Sequence, residues 1–174
     1  MQINVKELTL KGKNVQLHES MDMSGLLSGR QDLEAFGVLE ADLAAYADGN
    51  IAVVDGMLKL PVTMVCSRCL GSVQETLSIP FREKFTLGSI SAEAGEEQDD
   101  LHQVQEDLVE LAPYVEEAVW MALPYIPLCK EDCRGLCPEC GTNLNERDCG
   151  CSTEKIDPRL AGLADLFKET RKDP

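Results

Sequence analysis

The stretch CKEDCRGLCPECGTNLNERDCGC, from Cys129 to Cys151, decides how the C-terminal part of the chain folds. It holds six of the eight cysteines, spaced C-x3-C-x3-C-x2-C-x8-C-x-C, and its only large apolar residues are Leu136 and Leu144. Two buried leucines contribute about 1.5–3 kcal/mol each, which is too little to offset the entropy of ordering so many residues. Tetrahedral metal binding by cysteine thiolates can hold such a segment.

Two C-x-x-C pairs strengthen the metal interpretation. Cys137-Pro138-Glu139-Cys140-Gly141 is typical of a zinc knuckle, in which two thiolates reach one ion and the glycine allows the backbone to turn beneath the sulfurs. Cys66-Ser67-Arg68-Cys69-Leu70-Gly71 repeats the pair, with glycine two places after the second cysteine. We therefore expect two zinc ions, or at least one, with ligands drawn from all eight cysteines: Cys66, Cys69, Cys129, Cys133, Cys137, Cys140, Cys149 and Cys151.

Loop closure favours one division of these ligands. The last four lie close together in the chain, so one ion closes only a short loop among them: Cys137, Cys140, Cys149 and Cys151. The other ion would then join the first pair to the two cysteines that begin the C-terminal segment: Cys66, Cys69, Cys129 and Cys133. A different division pairs the two knuckles and leaves the remaining four cysteines for a second ion or for none. The sequence leaves both open.

Disulfides, a redox-active pair and iron–sulfur ligation are the alternatives to zinc. Small cysteine-dense chains are often secreted, but residues 1–7 lack a basic region followed by an apolar run. No apolar span approaches the ~18 residues that cross a bilayer. We therefore expect a cytoplasmic protein with reduced thiols and no membrane partner. A redox C-x-x-C belongs in a βαβ context, which the sequence around Cys66 does not provide.

The charge balance bears on the kind of partner. The chain has 16 Lys plus Arg against 31 Asp plus Glu, a formal net charge of −15. Its basic residues are scattered and do not form the runs that mark nucleic-acid-binding arms. This balance argues against a bulk electrostatic attraction to phosphates and favours solubility or a basic partner.

Alternating apolar and polar residues predict a β-rich body over residues 1–128. The alternation begins at Val15 and Leu17, and we expect residues 21–37 to form a loop and a short helix. Turns are predicted at two Asp/Gly/Asn sequences, and the first knuckle is predicted at the tip of a hairpin. The alternating segments and the turns between them are Leu39–Ala45, Asp48-Gly49-Asn50, Ile51–Val54, Asp55-Gly56, Leu58–Met64 and Val73–Ile79.

The fold class that follows is α+β, mainly an antiparallel β meander forming a curved or barrel-like sheet. Residues 91–100 are expected to form an acidic connector, followed by a strand over 101–109. A helix over 112–123, with Pro113 in its first turn, is predicted to cover the sheet, and Trp120 is interpreted as a core anchor. The residues of its apolar face are Leu111, Val115, Ala118, Val119 and Ala122.

The remainder divides into a zinc-knuckle module over 129–152 and a C-terminal helix and tail over 153–174. Asp157-Pro158 supplies a capping residue followed by proline, which predicts a helix start there and an end near Thr170. An apolar stripe on this helix is expected to pack in a core, with a docking face as the alternative: Leu160, Leu163, Leu166 and Phe167.

The sequence offers little for catalysis. His18 and His102 are its only histidines, and neither lies beside a plausible nucleophile. All-cysteine zinc sites are typically closed structural sites, and the chain has no G-x-x-x-x-G-K-[ST] sequence for nucleotide phosphates. We expect a protein that is not an enzyme and has no small-molecule substrate.

The order of these motifs resembles the YceD family. The family is associated in bacteria and plastids with accumulation of large-subunit ribosomal RNA. The resemblance therefore implies a ribosome-assembly factor whose partner is a large-subunit precursor, a ribosomal protein or rRNA. The residues that carry it are Cys66–Leu70, Ala122–Pro124, Pro127–Cys129, Cys133–Gly141, Asn143–Asn145 and Asp157–Leu160.

Two modes of action are consistent with that resemblance. In one, polar residues near the knuckles contact large-subunit rRNA or a precursor particle: Arg68, Arg134, Asn143, Asn145 and Arg159. In the other, the acidic body binds a basic ribosomal protein before or during its incorporation, and rRNA accumulates because assembly succeeds. The alternative from a different class is a zinc-dependent interaction adaptor or a thiol redox protein unrelated to ribosomes.

Overall fold

The structure is a computed structural model that describes residues 1–88 and 101–152. The chain divides into two compact units. The first comprises Met1–Cys66 and Gly71–Cys129, and the second comprises Ser67–Leu70 and the described residues from Lys130 onward. The predicted acidic connector and the predicted C-terminal helix lie outside the described residues.

The first unit contains the helices and strands of the described residues. None of these helices has both the length and the apolar character needed to cross a membrane. In chain order the elements are β1 (Gln2–Asn4), α1 (Val5–Lys11), β2 (Val15–Met21), α2 (Ser24–Leu27), β3 (Leu33–Phe36), β4 (Leu39–Asp48), β5 (Ile51–Val65), β6 (Ser72–Leu87), β7 (Leu101–Val104), β8 (Leu108–Glu110) and α3 (Ala112–Ala122).

The strands form two sheets, and the predicted α+β class is confirmed. β1 pairs with β8, while the larger sheet has the order β2-β4-β5-β6-β7 with β3 also paired to β5. Its pairings are antiparallel except for the parallel pair β6 and β7. The barrel-like expectation is wrong. Among the described residues no pairing joins β2 to β7, so the sheet stays open.

The hydrophobic core lies on one face of the larger sheet. Side chains alternate along the strands, so the apolar residues at every second position point to the same face. Helix α1 packs against β4, β5 and β6, and α3 packs against β6. The largest fully buried side chains are Phe81, Phe85, Leu8, Met23, Leu27, Leu39, Leu43, Leu58, Leu60, Met64 and Leu111.

Helix α1 and strand β3 are not among the predicted elements. The Asn4 side chain caps α1 by accepting a hydrogen bond from Glu7 N at 2.8 Å, and Gly12 ends the helix with φ +60°. Asn followed three residues later by Glu, with glycine at the end, is a recognisable helix signal. The predicted short helix is present as α2, but β3 occupies part of the segment expected to be a loop.

The predicted turn at Asp55-Gly56 is wrong, because β5 continues without interruption from Ile51 to Val65. The turn lies at the earlier site, where Asp48 pairs with Ile51. Glycine is present at position 56 because the backbone of β4, at Asp42 and Leu43, lies too close for a side chain. A Cβ built on it would lie 2.1 Å from the backbone oxygen of Asp42, which no side chain tolerates.

The segment after the acidic connector also differs from prediction. The expected single strand over 101–109 is two short strands, β7 and β8, with a bend between them.

The predicted covering helix is confirmed as α3, with Val115 and Val119 buried. Trp120 is not a core anchor: its side chain is 49% exposed. Ala122, expected on the apolar face, is also exposed.

Candidate metal centres

The first knuckle is the loop of the β5–β6 hairpin, as predicted. Val65 and Ser72 form the last pair of the two strands, and Cys66 N donates a hydrogen bond to Gly71 O at 2.9 Å. The chain reverses by placing Leu70 in the left-handed region, with φ +57°. Leu70, directly after the second cysteine, takes the conformation for which glycine is usually selected.

The second knuckle has the same backbone arrangement. Gly141 also follows the second cysteine directly, and its φ is +71°. Its N–H donates to Cys137 O at 2.8 Å, while Cys137 N donates to Thr142 O at 2.8 Å. These hydrogen bonds fold the chain tightly around the pair, so that the thiols of Cys137 and Cys140 come close together.

The structure gathers the eight cysteines into two groups of four. One group contains Cys66, Cys69, Cys129 and Cys133, and the other contains Cys137, Cys140, Cys149 and Cys151. Within each group the sulfur atoms all lie within 4.8 Å of one another. A tetrahedral zinc with Zn–S bonds of about 2.3 Å needs sulfurs about 3.8 Å apart. Either group could therefore hold a metal ion, and the grouping is the one that loop closure favours.

The protonation of the second group also suits a cation. Hydrogen bonding from the Thr142 hydroxyl, whose oxygen lies 3.2 Å from Cys140 Sγ, lowers the pKa of Cys140 to about 6. A hydrogen bond to Cys140, and to a smaller extent one to Cys149, raises the pKa of Cys151 to about 12. One thiolate thus forms easily while its neighbour holds its proton. A cation bound among these sulfurs would stabilise the thiolate form of its ligands.

Arg68 stabilises the backbone of the second unit. Its Nη1 donates to Cys133 O at 2.9 Å and to Glu131 O at 3.3 Å. Its own carbonyl oxygen accepts from Leu136 N at 3.1 Å. Glycine suits the position beside it, because Gly135 has φ +73° and a Cβ there would lie only 3.0 Å from Arg68 O. The sequence suggests Arg68 as a partner contact, and its hydrogen bonds also give it a structural role.

Asn145 connects a metal-group cysteine to the surrounding polar residues. Its Nδ2 donates to Cys133 Sγ at 3.3 Å and to Asn143 Oδ1 at 2.9 Å. Its Oδ1 accepts from Arg134 N at 2.9 Å. Hydrogen bonds to a ligand sulfur orient it and favour its thiolate form. No direct sequence signal marks this contact, because Asn145 lies 12 residues from Cys133.

The remaining predicted partner-binding side chains are placed as follows. Arg134 Nη2 pairs with Asp148 Oδ1 at 2.6 Å, and Asn143 Nδ2 donates to Glu146 Oε1 at 2.7 Å. Both Arg134 and Asp148 are well exposed. Arg159 lies outside the described residues.

The fold and these two groups define the class: an α+β protein with two four-cysteine clusters that could hold metal ions. A family model described as "Large ribosomal RNA subunit accumulation protein YceD" matches residues 54–167. The chain belongs to the YceD family. The match includes all eight cysteines, and the family description names an accumulation factor and no reaction.

Curated relatives support the same assignment. The chain is 30% identical to the uncharacterized protein YlbN of Bacillus subtilis, over 90% of each chain. It is 31% identical to an uncharacterized protein of Mycobacterium tuberculosis over 75% of this chain, and spans 62% of that relative's length. It is 26% identical to the chloroplastic "Large ribosomal RNA subunit accumulation protein YCED homolog 1" of Arabidopsis thaliana, over 68% of this chain and 45% of the relative. No solved structure matches the chain significantly.

Proposed function

We propose that this chain is a non-catalytic, cytoplasmic ribosome-biogenesis factor that supports the accumulation of large-subunit rRNA by binding a basic ribosomal protein or assembly intermediate. Membership of the YceD family is the observation that carries the ribosomal role. The net charge of −15 supports the choice of a basic protein over naked RNA.

In this proposal each cysteine group holds one zinc ion in a structural role. Four sulfur ligands are characteristic of closed zinc sites, in which no coordination position is left for water or substrate. The resulting centres would fix the knuckle loops and the polar residues around them. Arg68, Arg134, Asn143, Asn145 and Arg159 remain candidate contacts for a precursor particle.

Binding to purified components tests the ribosomal role. The zinc-loaded chain is titrated with individually purified large-subunit ribosomal proteins and, separately, with large-subunit rRNA. We expect at least one basic ribosomal protein to bind, with an affinity that weakens as ionic strength rises through ~0.15 M, where the screening length is about 8 Å. Tight, salt-resistant binding to RNA without any protein partner would contradict the proposal.

A thiol redox role is the second candidate, because the Cys140 thiol is exposed and its hydrogen bonding to Thr142 lowers its pKa to about 6. The two candidates predict opposite reactivity. Zinc-bound thiolates resist alkylation until a chelator is added, whereas a redox cysteine reacts in the folded protein without one. Metal analysis of protein purified under reducing conditions, together with timed alkylation, therefore separates them.

A further inference from the structure

The end of α3 and the segment after it form an exposed apolar cluster. Four of the ten exposed large apolar side chains of the described residues fall within seven positions. Trp120 is 49% exposed, Met121 79%, Tyr125 93% and Ile126 60%. The other six are distributed between Leu10 and Leu108, as is ordinary for a soluble protein. A concentration of such side chains marks an interaction site.

Acidic residues share the outer face of α3 with this cluster. Glu116 and Glu117 are exposed and lie one turn before Trp120 and Met121, whereas Val119 points into the core. Glu116 therefore lies beside Trp120, and Glu117 lies beside Met121, on the exposed side of the helix. We call these four residues, together with the exposed Tyr125 and Ile126 that follow the helix, the α3 surface.

Trp120 is held in place from within the first unit. The guanidinium carbon of Arg30 lies 5.4 Å from the centre of its ring, a cation–π arrangement. Arg30 Nε donates to Asp32 Oδ1 at 2.9 Å, and Asp32 O accepts from Val65 N at 2.9 Å at the end of β5. The ring is thus positioned before any partner arrives, which reduces the entropy lost on binding.

The charge of Arg30 is already paired. Its hydrogen bond to Asp32 raises the pKa of the guanidinium and lowers the pKa of the Asp32 carboxyl. Arg30 therefore adds no uncompensated positive charge to attract phosphate, while Glu116 and Glu117 repel it. An exposed tryptophan beside an arginine could stack on an RNA base, but the surrounding carboxylates favour a positively charged protein.

Building on the proposed function, we propose that the α3 surface docks a basic segment of a large-subunit ribosomal protein that also carries apolar side chains. Tryptophan, tyrosine and methionine are enriched at protein interfaces, and tryptophan and tyrosine often dominate their binding energy. The two glutamates select lysine or arginine in the partner and accelerate its approach. The apolar side chains bury against those of the partner.

Fluorescence reports directly on this surface, because Trp120 is the only tryptophan of the chain. The full zinc-loaded chain is titrated with purified large-subunit ribosomal proteins that lack tryptophan. We expect the partner to shift the Trp120 emission to shorter wavelength as it displaces water.

The double variant Met121→Ser, Ile126→Ser should weaken binding by about tenfold or more. Glu116→Gln, Glu117→Gln should weaken it mainly at low salt and flatten its salt dependence.

Leu10→Ser is the matched control, because it removes an apolar side chain that is 75% exposed on α1. It should leave affinity unchanged. All these substitutions replace exposed residues, and circular dichroism checks that the variants fold. The emission shift of the unmodified chain tests the surface without any substitution.

The outcomes separate the two proposals. A ribosomal protein that binds without changing Trp120 emission, and with equal affinity for the Met121→Ser, Ile126→Ser variant, would overturn the α3 surface and leave the proposed function intact. If no ribosomal protein binds, both are overturned. If large-subunit rRNA shifts the emission and the proteins do not, the surface is assigned to RNA and protein docking is overturned.

Discussion

The two units of this protein are stabilised in different ways. The hydrophobic core of the described residues lies entirely in the first unit, where helices cover one face of an open sheet. In the second unit, among residues 67–70 and 130–152, the buried residues are Cys133, Gly135 and Cys137. Leu136 and Leu144, the large apolar residues expected to contribute there, are only partly buried.

In the described part of the second unit, the two cysteine groups and polar contacts are therefore what is available to hold the chain in place of a hydrophobic core. Its chain is ordered by short backbone hydrogen bonds around the knuckle and by polar side chains such as Arg68 and Asn145. Each such hydrogen bond contributes only about 1 kcal/mol net. The first unit, by contrast, buries two phenylalanines and many leucines, each worth about 1.5–3 kcal/mol. The two units should therefore fail under different treatments.

The largest expected effect is loss of the second unit when the proposed zinc is removed. Structural zinc contributes about 10–16 kcal/mol in metal-folded peptides, far more than the hydrogen bonds among the described residues of this unit supply. We expect Cys137→Ser, Cys140→Ser to reduce zinc from two ions per chain to one. Amide hydrogen exchange should become fast across residues 134–151 while the strands of the first unit stay protected.

Asp132→Asn is the control for that experiment, because its carboxylate is 83% exposed and belongs to the same unit. It should leave zinc content and exchange unchanged. Equal protection of residues 134–151 with and without metal would show that the polar contacts alone order the unit. Loss of protection throughout β4, β5 and β6 would show that the first unit also depends on the second cysteine group.

The next largest effect is expected inside the first unit, at Gly56. Gly56→Ala forces a methyl group against Asp42 O, where the Cβ would lie at 2.1 Å, so β4 and β5 must separate. We expect a loss of about 3 kcal/mol or more in the free energy of unfolding, measured by denaturant titration. Zinc affinity of the Cys137 group should not change.

Gly49→Ala supplies the matched control in the same hairpin. Gly49 has φ +60°, but a methyl group added there would meet nothing within 4 Å, so only backbone strain opposes the change. The cost should be about 1 kcal/mol. Equal losses for the two variants would mean that close packing at Gly56 contributes nothing beyond its backbone conformation.

The elements predicted correctly are those with a repeating local signal. The period-2 pattern of β4 and β6 identifies the strands, and helical spacing with an early proline identifies α3. The same local reasoning misassigns Asp55-Gly56, because the reason for Gly56 is a strand that precedes it by about a dozen residues. Trp120 is misassigned for a related reason: its size suggests burial, whereas its position on α3 lies outside the buried face.

The cysteine groups are more predictable than the residues around them. Four thiols that must meet one ion leave few possible arrangements, so spacing and loop closure favour the division that the structure has. The contacts of Asn145 and Arg68 depend on hydrogen bonds between distant segments, which no spacing encodes. The open edges of the sheet are also not deducible, because alternation specifies a face and not whether the strands close into a ring.

A smaller effect is expected at Asn145, whose Nδ2 donates to Cys133 Sγ. Asn145→Asp keeps the oxygen that accepts from Arg134 N but replaces the donor with a negatively charged oxygen beside a ligand sulfur. We expect zinc affinity at the Cys133 group to fall by about 10- to 100-fold, as for other residues that orient metal ligands. Competition with a chromophoric chelator measures it.

Asn145→Ala removes both contacts of the side chain and completes this test. If the hydrogen bond to sulfur is what matters, the Asp and Ala variants should both weaken zinc binding. If Asn145 acts only by accepting from the Arg134 backbone, the Asp variant should bind zinc normally and the Ala variant should not.

The smallest effects are expected where the two knuckles differ, at Leu70 and Gly141. Leu70→Gly relieves a left-handed conformation that costs a non-glycine residue about 1–2 kcal/mol, but glycine also raises the entropy of the unfolded chain by a comparable amount. We expect stability to change by less than about 1 kcal/mol.

Gly141→Ala introduces the left-handed strain without any compensating gain. A methyl group added there would meet nothing within 4 Å, so only the strain should weaken the knuckle, by about 1 kcal/mol. Thermal unfolding of the zinc-loaded variants measures both, and a large loss for Leu70→Gly would mean that its 64% exposed side chain supports the fold after all.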